Sequence, residues 1–196
     1  MKILFIADTE AKAYWDFFKK ESFPEVDLII SCGDLKSEYL SFLATMTTVP
    51  VLYVHGNHDD NYEKNPPGGC ICIDGELYEY QGVRILGLGG SYRYKEGRNQ
   101  YTDRQMRKRV RKLRFPLFRS KGFDILLTHA PASGLNDGED LCHMGFPTFN
   151  RLIDKYQPKY FVHGHVHMNY GRNIPREDQI AGTKVINAYE KYILEI

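Results

Sequence analysis

The stretch Val51-Leu52-Tyr53-Val54-His55-Gly56-Asn57-His58-Asp59 decides how the rest of the chain reads. Four β-formers stand in a row without polar alternation, the pattern of a strand covered on both faces. The run stops at Gly56, where the backbone can turn sharply. Asn57, His58 and Asp59 are thereby delivered to the strand's own end, in position to converge on one point.

Outward from this stretch the arrangement recurs. Asp8 follows Ile3-Leu4-Phe5-Ile6-Ala7, Asp34 follows Leu28-Ile29-Ile30-Ser31-Cys32-Gly33, and His129 follows Ile125-Leu126-Leu127-Thr128. Phe161-Val162-His163 leads into Gly164-His165-Val166-His167. Helical spacing fills the gaps: Ala11, Tyr14, Trp15 and Phe18 as far as Ser22-Phe23-Pro24, then Tyr39, Phe42, Leu43 and Met46 as far as Pro50. Successive strand, loop and helix units predict a parallel sheet with covering helices, its functional groups beyond the strands' C-terminal ends.

After a loop containing Asn65-Pro66-Pro67-Gly68-Gly69, short strands are expected at Cys70 to Ile73, Leu77 to Tyr80 and Val83 to Leu88. Asp74-Gly75 and Gln81-Gly82 between them have the composition of hairpin turns, giving a meander. Gly87-Leu88-Gly89-Gly90 lacks both the lysine of a P-loop and dinucleotide-fold spacing, and reads as a strand-end turn. A helix from Thr102 to Phe115 turns Met106, Val110 and Leu113 inward. Beyond His129 a polar loop, Ala132 to Gly145, has the character of a lid, and His143 within it is the candidate for substrate contact. A helix carrying Phe149, Leu152, Ile153 and Tyr156, then strands at Val185 to Asn187 and Tyr192 to Ile196, close the chain. The sum is a mixed α/β protein of two stacked sheets, expected as a single domain over residues 1–196.

The net charge of +1 hides an asymmetry: residues 93–121 hold twelve Lys/Arg against two acids, or +10, leaving −9 elsewhere. Seven of those cations crowd into Arg104 to Arg114. The plain reading is a solvated helix face; the alternative is a docking surface for a polyanion such as nucleic acid, a phosphorylated substrate or an acidic lipid surface. The four cysteines are scattered and read as reduced structural thiols. No apolar run reaches the length of a membrane span, and no signal-peptide pattern follows Met1-Lys2, so a cytoplasmic protein is expected.

The strand-end residues Asp8, Asp34, Asn57, His129, His165 and His167, with Glu10 and His58 nearby, are oxygen and nitrogen donors. Such a mixture suits Mn, Fe, Zn or Ni better than Ca or Mg, which favour oxygen alone. One ion cannot use them all, and Asp34 is placed to bridge two. Singly, each has a plain explanation as a cap or a turn residue. Jointly, independent caps would not gather acids and imidazoles at the same end of so many strands.

In family order, Asp8-Thr9-Glu10, Gly33-Asp34, Gly56-Asn57-His58-Asp59, His129 and Gly164-His165-Val166-His167 resemble the signature of the calcineurin-like metallophosphoesterases. The resemblance implies a four-layer α/β/β/α sandwich of two mixed β-sheets flanked by helices. It implies one metal on Asp8, Asp34 and His167 and another on Asp34, Asn57, His129 and His165. The departure is Glu10, where the family has histidine; an oxygen ligand there favours Mn or Fe over Zn. The activity expected is hydrolysis of a phosphodiester or small nucleotide by a metal-bound hydroxide, with His58 as general acid. Two other readings stand beside it: a nuclease using the basic helix 104–114, and a protein-interaction scaffold with altered metal ligands.

Overall fold

The computed structural model describes residues 1–168 and 175–196. The chain begins with β1 (Lys2–Ala7), β2 (Leu28–Ser31), α1 (Ser37–Met46) and β3 (Val51–Tyr53). It continues through β4 (Ile71–Cys72), β5 (Glu76–Tyr80), β6 (Val83–Leu88), β7 (Ser91–Tyr92) and β8 (Gln100–Tyr101). The helices α2 (Asp103–Lys112) and α3 (Arg114–Arg119) precede β9 (Ile125–Thr128), α4 (Pro147–Tyr156) and β10 (Tyr160–His163). The last strands are β11 (Glu177–Ile180), β12 (Thr183–Asn187) and β13 (Glu190–Glu195). Among the described residues no helix is long and apolar enough to cross a membrane.

One large sheet has the order β13-β1-β2-β3-β4, the other β11-β12-β10-β9-β6-β5, and β7 and β8 pair separately. β1 through β4 run parallel, as do β6, β9, β10 and β12, while β13, β5 and β11 are added antiparallel at the edges. Between the sheets Phe5, Ile30, Leu52 and Val54 meet Ile85, Leu127, Val162 and Ile186. The outer face of the first sheet, with Leu4, Ile6, Ile29 and Val51, packs on Tyr39, Leu40 and Leu43 of α1. The outer face of the second, with Leu126, Phe161 and Val185, packs on Met106 of α2, Leu117 of α3, and Phe149 and Ile153 of α4. Both faces of every central strand are therefore buried, which is why their sequences show no alternation. The result is the four-layer sandwich of two mixed sheets flanked by helices.

Local departures from the sequence reading have physical causes. The helix expected over Ala11 to Phe18 is replaced by short 3-10 turns at Lys12–Tyr14 and Lys20–Ser22. Its aromatic residues wrap α1: Trp15 meets Tyr39 and Phe42 edge-on, and Phe18 meets Phe42. The expected meander is broken, because β4 pairs with β3 in one sheet while β5 pairs with β6 in the other. Asp74-Gly75 is thus a crossover between sheets, whereas Gln81-Gly82 is the hairpin turn, with φ of 47° and 80°. The single helix expected from Thr102 to Phe115 ends at Lys112 and restarts at Arg114. Its start is a capping box, in which Thr102 Oγ1 accepts from Gln105 N–H and Gln105 Oε1 accepts from Thr102 N–H.

Candidate metal centre

Five parallel strands end on one side of the sandwich, and their next residues carry the polar cluster. Asp8, Asp34 and His165 are non-glycine residues in the left-handed region, at φ 65°, 57° and 67°. Such backbone persists where surroundings over-determine it. Asp8 accepts the His165 N–H on both carboxylate oxygens, at 3.0 and 2.9 Å. Asp34 Oδ1 accepts the His58 N–H at 2.7 Å. The Asp59 carboxylate ties two loops together, its Oδ2 accepting from Asp34 N–H at 2.9 Å and from Gly56 N–H at 2.7 Å. Gly56 is required here, since a Cβ would lie 2.0 Å from Asp34 Oδ1.

His129 stands at the centre and is fully buried. Its Nδ1 lies 2.9 Å from the Cys32 carbonyl, which can only accept, so Nδ1 carries a proton. Its Nε2 lies 3.0 Å from Asn57 Oδ1 and 3.2 Å from Asp34 Oδ2. His165 is fixed in the opposite sense: Nε2 donates to the Cys142 carbonyl at 2.6 Å, leaving Nδ1 as its basic nitrogen. Asp34, His129 and His165 each offer a ligand atom within 4.8 Å of the others. On the other side His167 Nε2 is 4.0 Å from Asp8 Oδ1, and its ring lies 4.9 Å from that of Tyr189, centroid to centroid. The Tyr189 hydroxyl accepts from Thr9 Oγ1 at 3.3 Å.

The electrostatics is that of a site short of positive charge. Burial, with Asp34 adding repulsion, pushes the Asp8 carboxyl up to about 7 against the pull of His129. Burial works on Asp34 in the same direction, but His129 and the His58 N–H overcome it and hold Asp34 below the ordinary carboxylate range. His129 is pushed down by burial and raised further by Asp34, ending at about 9. His165, by contrast, falls to about 3 through burial and the nearby His129, and keeps a neutral imidazole. Buried carboxylates around basic nitrogens with their second nitrogens already anchored to carbonyls are the donor set of a transition-metal site. These residues fit the ions that the resemblance implies.

His58 is exposed on the ridge between two clefts. The first, about 410 Å³, is lined by Asp8, Asp34, Asn57, Tyr94, Cys142 and His143 among others. The second, about 330 Å³, holds Glu10, Lys36, Asn61 and Tyr62. Glu10 faces this second cleft, its Oε1 accepting from Lys36 N–H at 3.3 Å and lying 3.6 Å from Lys36 Nζ. His143 sits over the first, its ring 5.3 Å from that of His165. Three contributors escaped the sequence reading: the Tyr94 hydroxyl, 3.4 Å from Asn57 Nδ2, the Cys142 carbonyl, and Tyr189. Tyr94 lies in no motif of the sequence, and a backbone carbonyl has no sequence signal.

The profile of the calcineurin-like phosphoesterases matches residues 1–169. No curated protein matches the chain. Among solved structures, it is similar to an archaeal phosphodiesterase, at 15% identity over 100% of this chain and 93% of that one, with a TM-score of 0.46. It is also similar to GAP50, the anchor in the inner membrane complex of Plasmodium, at 12% identity over 95% of this chain and 70% of that one, with a TM-score of 0.56.

Proposed function

The chain belongs to the calcineurin-like phosphoesterase family, a family of metal-dependent phosphoesterases, and from that premise we propose that it hydrolyses a phosphodiester or a small nucleotide. The observation that carries this reading is the convergence of His129 Nε2, Asn57 Oδ1 and Asp34 Oδ2 on one point beneath an exposed His58. Asp34, Asn57, His129 and His165 would hold one ion, and Asp8, Asp34 and His167 a second, a mixed oxygen and nitrogen set that suits Mn, Fe, Zn or Ni. Bound ions supply Lewis acidity to phosphoryl oxygens and bring the pKa of a water towards neutrality.

The protein's own part is positioning and proton transfer. Asp34, whose Oδ1 accepts the His58 N–H, sets the backbone of the proton donor with the same carboxylate that would be shared by the two ions. The His58 imidazole, on the ridge between the clefts, is placed to protonate the leaving oxygen. Asn57 presents its carbonyl to the centre while its amide meets Tyr94 OH, which fixes which end of the side chain is the ligand. His143 and Tyr94 bound the cleft that receives the phosphoryl group. The test is metal-dependent turnover of an aryl phosphodiester: His58→Ala should lower kcat by about a hundred- to ten-thousand-fold. Unchanged rates in both His58→Ala and Asp34→Asn would sink the proposal.

One observation favours a second reading, the interaction scaffold: Glu10 is engaged with Lys36. Metal analysis after reconstitution separates the two, since about two equivalents of Mn or Fe support catalysis and none supports the scaffold.

A further inference from the structure

The spacing that buries Met106, Val110, Leu113 and Leu117 against the second sheet leaves another stripe on the opposite side of α2 and α3. It consists of Arg104, Lys108, Arg111, Phe115 and Phe118, all exposed. Phe115 is 73% and Phe118 82% exposed, the two highest values among the exposed large apolar side chains. Three residues apart on α3, they are neighbours on one turn. They take no part in the core, because α3 already meets it through Leu117. The cations beside them also lack partners: Arg107 pairs with Asp103 and Arg109 with Asp74, but no ion pair is made by Lys108, Arg111, Lys112 or Arg119 among the described residues. A crevice of about 210 Å³ continues the face onto α4, with Arg114, Arg151 and Lys155 around Leu117 and Leu152.

We propose that this face docks the protein on the surface of an anionic lipid bilayer, with the lysines and arginines at the headgroups and the Phe115 and Phe118 rings in the acyl boundary. Charge complementarity selects an anionic partner: the segment 93–121 carries twelve cations against two acids. The rings add an apolar element to that charge, since moving two adjacent exposed phenylalanines out of water is favourable. A nucleic acid would neutralise the cations but not use the rings in this way. Single-strand platforms lay aromatic rings along a groove for bases to stack on, whereas these project from the outside of a short helix with Pro116 between them. None of the proposed metal ligands lies on α2 or α3, so docking and hydrolysis are separable.

The full chain would be sedimented with vesicles of phosphatidylcholine alone and with about 30% phosphatidylserine. Partition into the anionic vesicles only, weakening as salt rises, is expected. Phe115→Ser/Phe118→Ser should lower that partition about tenfold or more, and Lys108→Glu/Arg111→Glu should remove it. Both variants should keep wild-type circular dichroism and the same hydrolysis of a soluble aryl phosphodiester. In Phe118→Trp, emission should shift to the blue on anionic vesicles. The proposal is overturned by equal binding to neutral vesicles, by no binding at low ionic strength, or by single- or double-stranded nucleic acid displacing the vesicles. A dimer that Phe118→Ser dissolves, without vesicle binding, overturns it as well.

Discussion

The two halves of the candidate metal centre are built to different standards. Around His129 every donor is held from behind: Nδ1 by the Cys32 carbonyl, His165 by the Cys142 carbonyl, Asn57 by Tyr94, and the Asp34 loop by Asp59. Around Asp8 the carboxylate is equally buried, but His167 is 30% exposed and 4.0 Å away, and Glu10 is turned to Lys36. Preorganisation lowers the cost of placing ligands around an ion, because less freedom is lost on binding. In the proposed two-ion site, Asp34 would therefore join a preorganised half to an adjustable one.

The largest effect should come from the residue both halves share. Asp34→Asn removes the charge that both proposed ions would share, and hydrolysis should fall to background with neither ion retained. Metal content measured beside activity would break the two-half picture if one full equivalent survived. A smaller effect is expected from behind the rigid half, where Asp74 accepts from Gly89 N–H, pairs with Arg109 and lies 3.0 Å from His55 Nδ1. Asp74→Asn leaves its partly buried cationic partners uncompensated, which costs about 3 kcal/mol, or roughly 6 to 12 °C in Tm. Burial alone would raise the Asp74 carboxyl, but His55 and Arg109 hold it below its ordinary value. Its stabilisation is therefore present above the unfolded carboxylate pKa of about 3.9 and lost as pH falls through the folded value. Thermal unfolding between neutral and acid pH should show that loss in the wild type and a flatter profile in Asp74→Asn.

Why the proposed ligands were more legible than the groups that hold them follows from how each is supplied. Asp8, Asp34, Asn57, His129 and His165 each follow a strand buried on both faces, and such strands announce themselves as unbroken apolar runs. The supports behind them come from elsewhere. Tyr94 arrives between β7 and β8, the Cys142 carbonyl from the polar loop after His129, and Tyr189 from the turn before β13, contacts fixed by tertiary packing rather than by local pattern. The same distinction governs the fold. Apolar runs located the central strands, but periodicity mistook an aromatic wrap over α1 for a helix, and it could not show that β4 and β5 belong to different sheets. β11, whose sequence is Glu177-Asp178-Gln179-Ile180, is a polar edge strand and carries no apolar run at all.

The adjustable half predicts unequal metal binding. Calorimetric titration of the metal-free protein with Mn should resolve a tight event and one at least about tenfold weaker. His167→Ala should remove the weaker event and spare the tighter one, and the order would be reversed in a variant of His129. Two events of equal affinity would erase the distinction between the halves, whatever the activity.

The smallest effect, and the sharpest test of the contrast, belongs to Glu10. Its pairing with Lys36 is exposed on the lysine side, so Glu10→Gln should change stability by only about 0.5 kcal/mol. The amide oxygen can still accept from Lys36 N–H, and the weaker metal event should shift by no more than about threefold. Glu10→His acts in the opposite direction, since an imidazole supplies the nitrogen that the family pattern places in this half and should strengthen the weaker event while leaving the tighter one alone. If Glu10→Gln instead abolished the weaker event, the carboxylate would have to leave Lys36 when the ion binds. The looseness of this half would then be a property of the metal-free protein alone, with Lys36 holding a ligand in reserve.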